Sequence, residues 1–229
     1  MRDVVFLRNH ICSQLAYRSG VFCVACIHIL SLGGCGGEDQ AAESRVLTVS
    51  VQRASRWVRN FNPISPAATP RWPTVAGIHE PLMVFNSLKS EYVPWLGVSH
   101  TWQDANRTLR ISLRDGVRWS DGEEFDASDV VFTFELIRDH PDIDQHGIWD
   151  KLSHVVAVDS HTVEFHFERV FVPGFDDVVV QPIVPEHIWS SVKNPLDFAN
   201  EDPVGTGPFT EVLVFEDHVY EIGRNPRYW

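Results

Sequence analysis

Between Leu109 and Gly122 the chain reads Leu-Arg-Ile-Ser-Leu-Arg-Asp-Gly-Val-Arg-Trp-Ser-Asp-Gly, and Asp126-Ala-Ser-Asp-Val-Val-Phe-Thr-Phe134 follows at once. Leu109, Ile111 and Leu113 alternate with polar residues, which is the period of a strand buried on one face. Asp126 suits a helix N-cap, and Asp129 stands three residues on, at the helix's positive end. Val130, Val131, Phe134 and Ile137 then share one face, so the spacing predicts an amphipathic helix over 127–139. A half-buried strand leading through a tight turn into a capped helix leaves two apolar faces that must cover each other. That restricts the chain to a fold in which helix and sheet are mixed.

The rest of the chain reads the same way. Val46-Leu-Thr-Val-Ser-Val51 alternates and is β-branched, hence a first strand. Residues 52–73 are rich in Arg, Pro and Trp without a period, and a loop of that length is commonly functional. A short helix is expected over Thr74–Leu82, ended near Pro81, then a short strand at Met83–Asn86. Leu96–Leu113 holds two strands. His161–Phe167 is a third, with Val163, Phe165 and Phe167 inward. Short helices near 173–178 and 185–192 flank Pro182-Ile-Val184, and Glu211–Phe215 with His218–Ile222 forms a closing hairpin. The expected architecture is α/β or α+β with a mixed sheet.

The N-terminal stretch belongs to no fold. Arg2, Arg8 and Arg18 precede an apolar run of 12 residues, Val21–Leu32. A bilayer crossing needs about 20, so the run suits a signal-peptide core. Leu32-Gly-Gly-Cys35 resembles a bacterial lipobox, with residues 1–34 as a lipoprotein signal peptide, Cys35 as the lipidated residue and 35–45 as a polar tether. An ordinary secretory leader cut elsewhere is the alternative. All four cysteines lie at or before residue 35, so no disulfide framework holds the fold.

The chain carries 19 Lys+Arg against 31 Asp+Glu, a formal charge of −12, and loses three of those arginines with the leader. So acidic a surface excludes a nucleic-acid partner, which needs clustered cations, and favours a soluble monomer.

Catalytic patterns are weak. Gly205-Thr-Gly207 lacks the lysine and hydroxyl of a phosphate loop. The histidines are scattered without ligand spacing, so no metal is expected. Glu123-Glu124, Asp142 with Asp144, and Asp176-Asp177 are carboxylate pairs in loops. A glycosidase needs two carboxyls facing each other across about 5–10 Å. No Gly-x-Ser-x-Gly occurs. We therefore expect no catalytic residues and no cofactor.

The segments Leu109–Gly122, Asp126–Phe134, Pro203-Val-Gly-Thr-Gly-Pro-Phe209 and Arg224-Asn-Pro-Arg-Tyr-Trp229, taken together, resemble the extracytoplasmic solute-binding proteins of ABC importers, family 5, over residues 46–229. The resemblance implies a periplasmic-binding-protein type II-like lobe. Residues 46–88 and 203–229 would form an incomplete first lobe, and 89–202 a smaller inserted domain. A second large lobe would follow residue 229, making this the N-terminal portion of a receptor. The implied ligands are peptides or oligosaccharides, and the implied partners are the permease subunits of an ABC transporter. The implied place is the periplasm or the outer face of the cell envelope, on a lipid anchor. In the family the loop after the first strand lines the ligand cleft, which nominates Trp57, Asn62 and Trp72. Trp149, in His146-Gly-Ile-Trp-Asp150, lies in a stretch that reaches the ligand in some relatives. A tryptophan face can stack on a sugar ring or pack a peptide side chain. Trp102 and Trp119 are expected in the core. The competing readings are an envelope glycan hydrolase and a non-functional remnant of the receptor.

Overall fold

The computed structural model describes residues 58–65, 77–216 and 219–229. The expected strand Val46–Val51, the leader and Cys35, and Trp57 and Trp72 lie outside the described residues.

Eight strands and three α-helices follow in order: β1 (Met83–Asn86), β2 (Glu91–Pro94), β3 (Gly97–Gln103), β4 (Thr108–Leu113), α1 (Ala127–Asp139), β5 (Leu152–Asp159), β6 (Thr162–Phe167), α2 (Gly174–Val179), α3 (Glu186–Trp189), β7 (Phe209–Phe215) and β8 (Tyr220–Arg224). The central layer is a four-stranded sheet of order β3-β4-β6-β5. β1–β2 and β7–β8 are separate two-stranded hairpins. Helix and strand mix as expected, but every pairing among the described residues is antiparallel.

The period-2 patterns of β4 and β6 meet in register, Leu109 opposite Phe165 and Ile111 opposite Val163. Both rows point to α1, where Val130 and Phe134 are fully buried. Phe134 meets Phe165 edge-on at 4.9 Å. Burying each such side chain is worth about 1.5–3 kcal/mol. Trp119 is buried in the same core and Trp102 packs against it.

Helix α1 begins as the sequence dictates. The Asp126 carboxylate accepts from Ser128 N at 2.7 Å, and the Asp129 carboxylate accepts from Asp126 N at 3.2 Å. Asp129 also accepts from the Trp119 indole at 3.0 Å and from Glu186 N at 2.9 Å. One buried carboxylate thus fastens the cap, the strand–helix turn and the start of α3. Pro141 follows the helix and stops it.

The expected helix at Thr74–Leu82 is a correction: residues 77–82 form a turn and an isolated bridge, Pro81 to Pro182. The carbonyls a helix would use internally go elsewhere. Ile78 O accepts from Gly207 N at 2.9 Å and Gly77 O from Phe209 N at 3.0 Å. Gly77 has φ +82°, which a helix forbids. β2 and β5 are strands that sequence reasoning does not find.

Segment 77–82 also carries Glu80, which is buried. Its carboxylate accepts from Trp95 Nε1 at 2.6 Å, Tyr228 Oη at 3.2 Å and Trp229 Nε1 at 3.1 Å. Burial raises its pKa, and the tryptophan and tyrosine donors pull it back. Arg114 covers the Trp229 ring at 4.2 Å. The C-terminal residues are thereby fixed to the β2–β3 turn.

Candidate functional site

Two nominated stretches converge on one cavity. The first is segment 58–65. Asn62 is fully buried; its Oδ1 accepts from the Ile64 and Ser65 amides, each at 3.0 Å. Its Nδ2 donates to Pro195 O at 2.6 Å and Phe198 O at 2.9 Å. The side chain closes a local turn and ties it to a distant loop, so Asn62 sets where Pro63 and Ile64 sit.

The second is the loop after α1. Asp144 accepts from the Ile148 and Trp149 amides at 2.9 and 3.0 Å. Lys151 Nζ donates to the His146 and Gly147 carbonyls at 3.0 and 2.8 Å. Gly147 supplies the left-handed residue of the turn, φ +58°. Trp149 is half-buried; its indole donates to Phe134 O at 2.7 Å and Arg138 lies 5.4 Å over its ring. It packs on the small core of Ile64, Ile137, Ile143, Val184 and Trp189.

Between these stretches and residues 180–182 lies a cavity of about 160 Å³. Ile64, Ile143, Val180 and two prolines give it apolar walls, while Gln145, His146 and Gln181 add polar ones. His146 Nδ1 is 3.8 Å from Asp177 Oδ1 on α2. Whole-ligand pockets run to about 300–1,000 Å³, so this space fits one ring or side chain of a larger solute. The surface it exposes is mostly polar, so two amides and an imidazole beside a few apolar side chains bind neutral polar groups chiefly by directional hydrogen bonds. Sequence reasoning missed Ile64, Gln145 and Gln181. Gln145 adjoins His146-Gly-Ile-Trp, and Gln181 opens Gln181-Pro-Ile-Val-Pro-Glu-His-Ile-Trp189, so the only signal was proximity to those phrases.

Three of the carboxylates from the acidic pairs hold structure. Asp144 serves the two amides above, Glu124 pairs with Arg118, and Asp176 bonds the Tyr92 hydroxyl. Burial, with Asp176 beside it, pushes Tyr92 up to about 12. Among the described residues no three His, Cys, Asp or Glu side chains are placed to hold a metal ion.

Comparison with known proteins bears on this geometry. Residues 91–229 match the middle region of the bacterial extracellular solute-binding proteins, family 5. Protein XP55 of Streptomyces lividans is 34% identical over 127 residues, 55% of this chain and 23% of that protein. A putative ABC transporter peptide-binding protein of Brucella ovis is 28% identical over 177 residues, 74% of this chain and 32% of that one. Among solved structures, a mannohexaose-bound periplasmic oligopeptide-binding protein of Thermotoga maritima superposes with a TM-score of 0.67 at 33% identity. That superposition covers 76% of this chain and 32% of the other. The chain therefore spans about a third or less of the length of each.

Proposed function

The chain belongs to family 5 of the bacterial extracellular solute-binding proteins, with a fold of the periplasmic-binding-protein type II class, and we propose that it contributes one wall of a peptide or oligosaccharide site in a receptor for an ABC importer. The observation that carries this reading is the convergence of segment 58–65 and the 143–149 loop on one partly apolar cavity. Trp149 packs behind that wall, and Asn62 acts through Pro63 and Ile64. Trp57 and Trp72 would add aromatic faces from the same first-lobe loop.

The division into a first lobe (46–88 and 203–229) and an inserted domain (89–202) accompanies this proposal. It is supported by the four-stranded sheet, α1, α2 and α3 all falling within 89–202. Cys35 would hold the receptor to the outer face of the membrane as a lipid-anchored monomer, delivering solute to the permease. The Brucella ovis and Thermotoga maritima relatives are named as binding proteins, and stoichiometric binding without turnover is the expected behaviour.

The test is a heteronuclear NMR titration of the protein with a manno-oligosaccharide and, separately, with a peptide mixture. Saturable shifts of the Trp149 indole and of the Gln145 and Gln181 side-chain amides are expected with one class. Silence of all three groups with both classes, or hydrolysis of the glycan, overturns the reading.

A further inference from the structure

The sheet has a second recess on its other face, away from α1. The β3–β4 turn and the first residues of β4 and β5 frame about 210 Å³ there, with Asp104, Arg107, Thr108, Ser153, His154 and His166 around it. The two imidazoles stack, with centroids 4.1 Å apart and planes at 9°. Ser153 Oγ donates to His166 O at 3.0 Å, so at 2.9 Å from His154 Nδ1 it can only accept. His154 therefore holds a proton on Nδ1, and its Nε2 has no partner among the described residues. Thr108 Oγ1 likewise donates to Asp104 Oδ2 at 2.7 Å and accepts from His166 Nδ1 at 3.2 Å. His166 Nε2 meets Glu164 Oε2 at 3.2 Å.

Arg107 lines the same recess as His154. Its carbonyl is fixed by Phe167 N at 2.8 Å. Its guanidinium reaches only the Asp104 carbonyl, at 3.5 Å, and no described carboxylate lies within ion-pair distance. The turn that presents it is strained: Asp104, Ala105 and Asn106 have φ of 49°, 53° and 66°. Asp and Asn tolerate the left-handed region, so the cost, about 1–3 kcal/mol, falls mainly on Ala105.

We propose that this recess is a second binding site, separate from the cavity beside Trp149, for a small oxyanion of the phosphate or carboxylate kind held between Arg107 and His154. The chain as a whole is strongly acidic, so a guanidinium without a carboxylate partner beside two imidazoles is where an anion would concentrate. The charged groups facing the imidazoles are Asp104 on the turn, Glu164 on β6, and Arg107 with Arg110 on the cationic side.

The test is a titration of the isotope-labelled protein with sulfate and, in a second arm, with succinate, both at pH 7.5. Saturable shifts of the His154 ring are expected, weakened about tenfold or more in Arg107→Gln, as for loss of a charge-assisted pair. Sulfate alone saturating assigns a phosphate-type ligand; succinate alone assigns a carboxylate; both assign a general oxyanion site. Shifts that never saturate in either arm overturn the proposal. So does an Arg107→Gln protein that keeps its α1 signals and binds as tightly as before.

Discussion

Gly205 and Gly207 show what a single missing side chain does. A Cβ on Gly205 would lie 2.1 Å from Ile78 O, and one on Gly207 2.2 Å from Gly77 O. The Pro-Val-Gly-Thr-Gly-Pro-Phe motif is thus a steric requirement of two backbones pressed together rather than of unusual backbone angles, since neither glycine has a positive φ. Gly205→Ala or Gly207→Ala should cost about 3 kcal/mol or more, because backbone cannot yield as a flexible side chain does. Urea unfolding that finds less than about 1 kcal/mol would show that the crossing relaxes. His79 is the second residue-scale case. It is buried, its Nε2 lies 3.3 Å from Asn200 Nδ2, and burial pushes its imidazole from 6.5 down to about 4, partly opposed by the Phe61 carbonyl. The folded state favours the neutral ring, so His79 is without penalty above pH 6.5. As pH falls from 6.5 to 4 the unfolded chain binds the proton first, and stability drops by about 3 kcal/mol. Thermal melts from pH 7 to 4.5 should show that decline, and His79→Gln should flatten it. No sequence pattern announced His79, because its burial comes from Phe61 and Asn200, both far along the chain.

At the scale of elements, α1 was legible because its signals, cap and period, were local. The strands that escaped notice had weak local signals. β5 sits at a sheet edge with register shifts at both ends, so only Leu152 and Val155 are buried and alternation is lost. β2 is four residues long beside Ser90 at φ 54°. The two acids at the start of α1 looked alike in sequence yet carry different loads. Asp126 is a cap at the surface, and Asp126→Ala should cost about 1 kcal/mol. Asp129→Ala would strand the Trp119 indole and two backbone amides, each orphan costing about 1–3 kcal/mol, for a loss of at least about 3 kcal/mol. Paired denaturation curves for the two variants check this. Equal losses would mean that the Trp119 and Glu186 donors find other partners.

For the whole molecule, the family and fold class were readable because four separated motifs agree in order, each worth little alone. The cavity was not readable, since its walls come from residues 63–64, 143–146 and 180–182, brought together only by tertiary packing. The β7–β8 hairpin poses the remaining whole-molecule question. Among its residues Phe209, Leu213 and Val219 are exposed at 41%, 56% and 55%. A formal charge of −12 opposes association of two copies through that surface. Salt removes the opposition while leaving apolar attraction intact, as the screening length falls from about 10 Å at 0.1 M to about 3 Å at 1 M. Sedimentation velocity should therefore find a monomer in dilute buffer and self-association in 1 M NaCl. Leu213→Lys with Val219→Glu should keep the protein monomeric in both, at unchanged melting temperature, because neither residue is buried. Association that persists in the double variant would assign the contact to another surface. The exposed β1–β2 hairpin, with Phe85 and Leu88, would then be the place to substitute next.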